Sequence, residues 1–192
     1  MRPGNNNRGY TLPEILITLG VISILLAMAV PSVSSTIKDN RLVGALNNLI
    51  IDIHFARSEA VKRDVRVIMC RTRDPNRTVP MCDGDANTWT TGYIIYADDG
   101  NYTNKYYDSG TDVLLRRGQA AASGVRMRTN AWWDKFLEFN PNGTTNEGGN
   151  AKMSICDDRG KDRGRQISVA PSGIPKMYAN NIGSCVNPDA EA

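Results

Sequence analysis

Apolar residues fall in three successive patterns along the chain. From Ile15 to Val30 it reads ILITLGVISILLAMAV, sixteen residues without a charge. Extended back to Tyr10 the segment has 21 residues, and Glu14 is its only charge. As a helix at about 1.5 Å per residue it spans roughly 31 Å, close to the ~30 Å hydrocarbon core of a bilayer. From Leu42 the pattern becomes amphipathic: Leu42, Leu46, Leu49, Ile53, Ala56 and Ala60 are spaced by four and three, which predicts a helix with one buried stripe. Asp39, Arg41, Asn47, Asp52, Arg57, Glu59, Lys62 and Arg63 are expected on its other, solvated face. Joined, residues 10–63 make a helix about 80 Å long at ~1.5 Å per residue, kinked or loosened at Pro31 and weakened at Gly44.

After Asp64 the period drops to two. Val65–Cys70 alternates in part, Gly92–Ala97 is a short apolar run between turn residues, and Val125–Arg128, Lys152–Cys156 and Arg165–Val169 alternate cleanly. Phe136–Phe139 leads into Asn140-Pro-Asn-Gly143, a strong turn signal. Short runs with turns between them read as antiparallel strands. A long helix followed by strands predicts an α+β fold, with the stripe of the helix laid on one face of a sheet.

The flanks orient the apolar segment. MRPGNNNRG carries Arg2 and Arg8 and no acid, so the positive-inside bias keeps the N-terminus cytoplasmic and sends the rest across the membrane. A cleaved secretory signal fits less well, because the apolar run exceeds a usual signal core and AMAVPS is a mediocre cleavage site. A carboxylate inside a membrane segment costs about 2.5–3.5 kcal/mol and marks a function, which singles out Glu14.

Composition narrows the chemistry. A net charge of +3, from 23 Lys+Arg against 20 Asp+Glu, is too balanced for a polyanion-binding protein. His54 is the single histidine, which excludes poly-histidine metal sites and favours a packed or solvated side chain. The four cysteines contain no CxxC pair; their even number suits two disulfides in an oxidising compartment, and three connectivities are open. Asp98–Asn101 lacks the full spacing of a calcium loop and reads as a turn. The mixed-sign run Asp157–Arg165 reads as a solvated loop. Nucleotide, hydrolase and zinc-protease fingerprints are absent. No nucleophile, base and orienter can be assembled, so an enzyme and a cofactor are not expected.

Arg8-Gly9-Tyr10-Thr11-Leu12-Pro13-Glu14, set directly before the apolar run, resembles the class III signal of type IV pilins and type II secretion pseudopilins. The resemblance implies cleavage by a prepilin peptidase between Gly9 and Tyr10 and methylation of the new N-terminus. It makes Glu14 the family's assembly glutamate and Pro31 its helix-kinking proline. Tyr10 replaces the commoner phenylalanine, and Pro13 stands where an aliphatic residue is usual; a proline in the first helical turn is tolerated. In a poorly screened setting the new amine can pair with Glu14 of a neighbouring subunit, and misregistered packing leaves a charge unmatched. Glu14 is thus an assembly register, not a catalytic acid.

Phe55-Ala-Arg-Ser-Glu-Ala-Val-Lys62, the strand ending in Cys70, Trp89–Asp98, Phe136–Gly143 and Ile167–Gly173 resemble the GspH/FimT class of minor pilins and minor pseudopilins. The resemblance implies a leader over residues 1–9, a long helix over 10–63 with its transmembrane and assembly part at 10–31, and a periplasmic β-rich domain over 64–192. It also implies the sequential pairs Cys70–Cys82 and Cys156–Cys185, the simplest of the three connectivities. Other minor pilins, the major pilin, the prepilin peptidase and the inner membrane are the implied partners. The implied function is a structural minor pilin that initiates or caps a type IV pilus; a type II secretion pseudopilin and a DNA-uptake pilin are the alternatives. DNA-binding members of the class share a Gly-Arg-x-Arg motif, and the matching Ser172-Gly173-Ile174-Pro175-Lys176 lacks both arginines. Arg163, Arg165 and Lys176 are therefore expected to give weak, non-specific DNA contact at most.

Overall fold

A computed structural model describes residues 9–84, 89–99, 104–133, 135–146, 151–179, 182 and 185, apart from the side chains of 28–32 and 132. The leader residues 1–8, residues 100 and 101 of the aspartate turn, residues 147–150 of the Gly-rich loop and the Pro31 side chain lie outside the described residues. The chain forms two compact units, Met1–Lys38 and Asp39–Ala192.

In the first unit helix α1 (Leu12–Arg63) begins after Thr11. Glu14 and Ile15 donate their amides to the Thr11 carbonyl at 3.1 and 3.2 Å, and Glu14 Oε2 accepts from the Thr11 amide at 3.5 Å. This is the returning half of a Thr-x-x-Glu capping box. Thr18 and Ser23 donate their hydroxyls to the Ile15 and Leu19 carbonyls, each at 2.8 Å, so the polar side chains of the apolar stretch are satisfied within the helix. The apolar side chains point outward; Leu16, Ile17 and Leu25 are 60%, 68% and 61% exposed. Among the described residues no helix is long and apolar enough to cross a membrane. The span read from the sequence runs through Met28–Val30, whose side chains are not described, so the described apolar stretch stops at Ala27. The backbone of residue 31 remains helical.

In the second unit two four-stranded antiparallel sheets replace the single sheet expected. The first orders β3-β2-β1-β5, where β1 is Arg66–Arg71, β2 Tyr93–Asp98, β3 Val113–Gly118 and β5 Phe136–Phe139. The second orders β4-β6-β7-β8, with β4 Arg126–Thr129, β6 Ala151–Cys156, β7 Arg165–Val169 and β8 Pro175–Ala179. The stripe Leu42, Leu49, Ile53, Ala56 and Ala60 shares one core with Val67, Ile95 and Leu137 of the first sheet and Met153, Ile155 and Ile167 of the second. A single helix thus closes both sheets.

The outer face of the first sheet is also covered. Ile68, Cys70, Ile94 and Tyr96 form a second cluster under Cys82, Tyr107 and Phe136, where Tyr96 meets Tyr107 and Phe136 meets Tyr106 edge to face. Disulfides join Cys70 to Cys82 and Cys156 to Cys185. The turns before Thr144 and after Pro171 meet beside the helix. Gly173 has φ +75°, and a Cβ there would sit 2.2 Å from the Gly143 carbonyl oxygen, to which Arg57 Nε donates at 3.0 Å. Only glycine fits that approach.

Two helix acids expected in solvent are buried. Asp52 and Glu59 are 8% and 9% exposed, because each has cations in reach. Arg116 Nη1 reaches Asp52 Oδ1 at 2.6 Å; Arg63 and Lys62 reach Glu59 at 2.6 and 3.4 Å. The Arg63 hydrogen bond is the main cause that holds the Glu59 carboxyl below its ordinary range, against the opposing cost of burial.

Candidate functional site

Gly9 and Tyr10 precede the helix in non-helical backbone and are exposed, Tyr10 by 80%. Glu14 stands exposed in the first turn of α1, where a carboxylate is favoured by the unpaired amides of the helix N-terminus. Its bond to the Thr11 amide gives it a local structural role besides any contact with a second subunit. The Thr-x-x-Glu spacing was the sequence signal for that cap.

Farther along α1, the exposed positions from Val43 to Val61 carry no formal charge. They include Val43, Asn47, Ile51, His54, Ser58 and Val61, with Ile51 58% and Val61 52% exposed. The charged residues of that stretch are drawn away: Asp52 and Glu59 are buried, and half-buried Arg57 holds Gly143. Water-facing helix sides normally carry charges, so this uncharged side is suited to packing. His54 lies on it, exposed.

The residues considered for DNA are not gathered. Arg165 lies opposite Ala179, whereas Lys176 lies opposite Ser168. Directly paired residues share a sheet face and successive residues alternate, so Arg165 and Lys176 occupy opposite faces. Arg165 Nη1 donates to the Arg163 and Gly164 carbonyls at 3.0 and 3.2 Å. The neighbouring Arg159 is held by Asp39 at 2.8 Å and Asp157 at 2.6 Å.

The largest buried charge cluster among the described residues lies on the outer face of the first sheet. Arg66 reaches Asp98, Glu138 at 3.4 Å and the Asn104 carbonyl at 3.1 Å, and Lys105 completes the pairing of Glu138. It ties the segment around Asn104 down to the strands. Tyr96, whose hydroxyl donates to the Lys105 carbonyl, belongs to the same fastening. Sequence reading missed this cluster, since its members lie 32 and 72 positions apart. Among the described residues no group of three or more His, Cys, Asp or Glu side chains could hold a metal.

Residues 4–30 match the prokaryotic N-terminal methylation motif, and residues 45–173 match the family of type II transport protein GspH. The pilin-like protein PilA1 of Thermus thermophilus is 29% identical over 141 residues, covering 71% of this chain and 78% of that one. Two crystal structures of the type IV minor pilin FimU from Pseudomonas aeruginosa share the fold. One aligns with TM-score 0.56 and 23% identity over 77% of this chain and 97% of FimU; the other with 0.54 and 21% over 75% and 99%. The family match runs from the amphipathic stretch of α1 to the turn before β8, and by it the chain belongs to the GspH family of type II transport proteins.

Proposed function

We propose that the chain is a structural minor pilin that helps initiate or cap a type IV pilus. The likeness to the pilin-like protein PilA1 favours the pilus. The observation that supports maturation as a pilin or a pseudopilin is the methylation motif over residues 4–30, set around an exposed Gly9–Tyr10 peptide. A prepilin peptidase cuts there, and the new Tyr10 amine is methylated. Residues 10–31 then anchor the chain in the inner membrane before assembly, and residues 64–192 fold in the periplasm. The freed amine and Glu14 set the register against neighbouring subunits, since an unmatched charge in a poorly screened environment costs several kcal/mol, of order 3–5. The uncharged outward side of α1 from Val43 to Val61 supports packing among other minor pilins and the major pilin. Pro31 loosens the helix between these parts.

The family description itself supports a second reading, a minor pseudopilin of a type II secretion system. Mass spectrometry of protein recovered from sheared surface filaments separates the two. The pilus reading expects a chain that starts at methylated Tyr10 and co-purifies with pili. Intact Met1 in the filament overturns the processing. A mature chain absent from pili, with loss of protein export when its gene is deleted, selects the secretion reading.

A further inference from the structure

We infer that the Asn142–Gly143 peptide is a latent self-modification site, which converts Asn142 to aspartate or isoaspartate and which the folded chain holds closed through Arg57. Asn142 is the only asparagine in the sequence that is followed by glycine. Asparagine is a thermolabile residue, and a following glycine leaves the next peptide nitrogen unshielded by any side chain. Asn142 is exposed in the turn between β5 and β6, so water reaches it.

The reaction needs only water. The Gly143 nitrogen gives up its proton to solvent, and its lone pair attacks Asn142 Cγ. The N–Cγ bond forms as the Cγ–Nδ2 bond breaks, and the side-chain nitrogen leaves as ammonia after taking a proton from water. Water then opens the resulting cyclic imide. Cleavage of the bond to Cγ leaves aspartate at this position. Cleavage of the bond to the main-chain carbonyl carbon leaves isoaspartate, with the chain routed through Cβ and Cγ. Either product carries a new carboxylate.

The turn holds both partners of that attack. Gly143 donates its N–H to the Asn140 carbonyl at 2.8 Å, so the proton that must leave first is hydrogen-bonded within the turn. Asn142 Oδ1 accepts from the Thr144 amide at 3.0 Å and the Thr144 hydroxyl at 2.7 Å, and that hydroxyl accepts from Asn140 Nδ2 at 3.1 Å. Two donors polarise Cγ toward attack, but polarisation achieves little while the nitrogen keeps its proton. Arg57 Nε fixes the Gly143 carbonyl at 3.0 Å, and a Cβ on Gly173 would lie 2.2 Å from the same oxygen. The Thr145 amide donates to the Pro171 carbonyl at 2.9 Å and ties the two turns together. Gly143 is buried with φ +77°, so its peptide cannot swing toward the Asn142 side chain without parting from Arg57. Local opening of the Arg57 clasp is therefore the step that admits the reaction. Isoaspartate adds a backbone atom, so a turn once modified does not close again in the same register.

The test follows the full-length chain in detergent at mildly alkaline pH, with peptide mapping that separates the asparagine, aspartate and isoaspartate forms of position 142. Unfolding the chain in guanidinium chloride at the same pH and temperature is expected to speed the conversion at least tenfold. Arg57→Ala, assayed at a temperature where its near-ultraviolet circular dichroism is that of a folded chain, is expected to speed it at least threefold. Gly173→Ala presses a Cβ onto the Gly143 carbonyl and carries the same expectation. Leu49→Ala is the control for global loss of stability. It truncates a fully buried core residue about two turns along α1 from Arg57, and while folded it is expected to stay within twofold of the wild-type rate. Equal rates in the folded and unfolded wild-type chain overturn the proposal, whether or not the variants fold. A folded Arg57→Ala or Gly173→Ala chain that reacts at the wild-type rate overturns it too, as does an acceleration by Leu49→Ala as large as theirs.

Discussion

Asp52 Oδ2 accepts a hydrogen bond of 2.6 Å from the Tyr93 hydroxyl while its Oδ1 takes Arg116 at 2.6 Å. One carboxylate thereby ties α1 to β2 and β3 at once. The Tyr93 ring fills the space over Gly118, where a Cβ would lie 2.2 Å from ring carbon. Truncation to Tyr93→Phe removes a hydrogen bond to a charged acceptor, and its expected cost is about 1.5–3 kcal/mol by urea unfolding. Gly118→Ala forces the ring aside and is expected to cost about 1–3 kcal/mol. A loss under about 0.5 kcal/mol in both variants, the range of ordinary surface substitutions, is the result that removes this tie from the account.

Alkaline pH reads the same bond in another way. Burial first, and the Asp52 carboxylate second, push the Tyr93 phenol far above its ordinary value; Tyr96 is raised chiefly by burial too. In the unfolded chain both phenols ionise near pH ~10. A raised folded value means that the stability from the neutral phenols is full below about pH 10 and falls as pH rises above it. Denaturant midpoints between pH 8 and 11 are expected to drop more steeply for the wild-type chain than for Tyr93→Phe. Parallel profiles contradict it.

Much of this was legible because it rested on local pattern. The buried stripe Leu42 to Ala60 follows from a period near 3.6 and four of the eight described strands from a period of two, while β2 and β5 follow from short apolar runs beside turn residues. The other two strands hid for physical reasons. In β3 the residues Val113–Gly118 lie at a sheet edge and are mostly half-buried, so VLLRRG shows no alternation. β8 opens with Pro175 and is largely exposed at the other sheet's edge, where a missing amide costs least. The division into two sheets was not legible, since strand order depends on pairings far apart in sequence. Charge placement was misread at Asp52 and Glu59, because a residue's own helix face does not reveal which cations another segment brings. The leader motif stood out for the opposite reason: all its parts are adjacent.

The disulfides make a separable contribution. Cys70 and Cys82 are 12 positions apart, and Cys156 and Cys185 are 29 apart. Loop-closure entropy gives about 3 kcal/mol for the shorter and about 3.5 kcal/mol for the longer. Cys70 is buried in the outer cluster of the first sheet with Tyr96 and Ile94, so its removal also loosens the packing there. Paired alanine substitutions at either bridge are expected to lower unfolding stability by about 2–4 kcal/mol. A chain whose stability is indifferent to reductant removes the bridges as stabilising elements.

DNA binding is expected to be weak, and the arrangement of cations gives the reason. Register places Arg165 against Ala179 and Lys176 against Ser168, on opposite faces of the second sheet, so one duplex cannot engage both from one side. Arg165 already donates to two backbone carbonyls, and Arg159 is committed to Asp39 and Asp157. Exposed Arg163 and Lys176 remain, each able to neutralise about one phosphate and to add about 0.9 to the salt slope. In a gel-shift titration of the detergent-solubilised full chain at about 150 mM salt, where exposed charges are screened within ~8 Å, no sub-micromolar complex is expected. Sub-micromolar binding that disappears in an Arg163→Ala, Arg165→Ala double variant would establish a DNA surface on that loop. It would also put uptake of DNA ahead of filament priming as the role of this subunit.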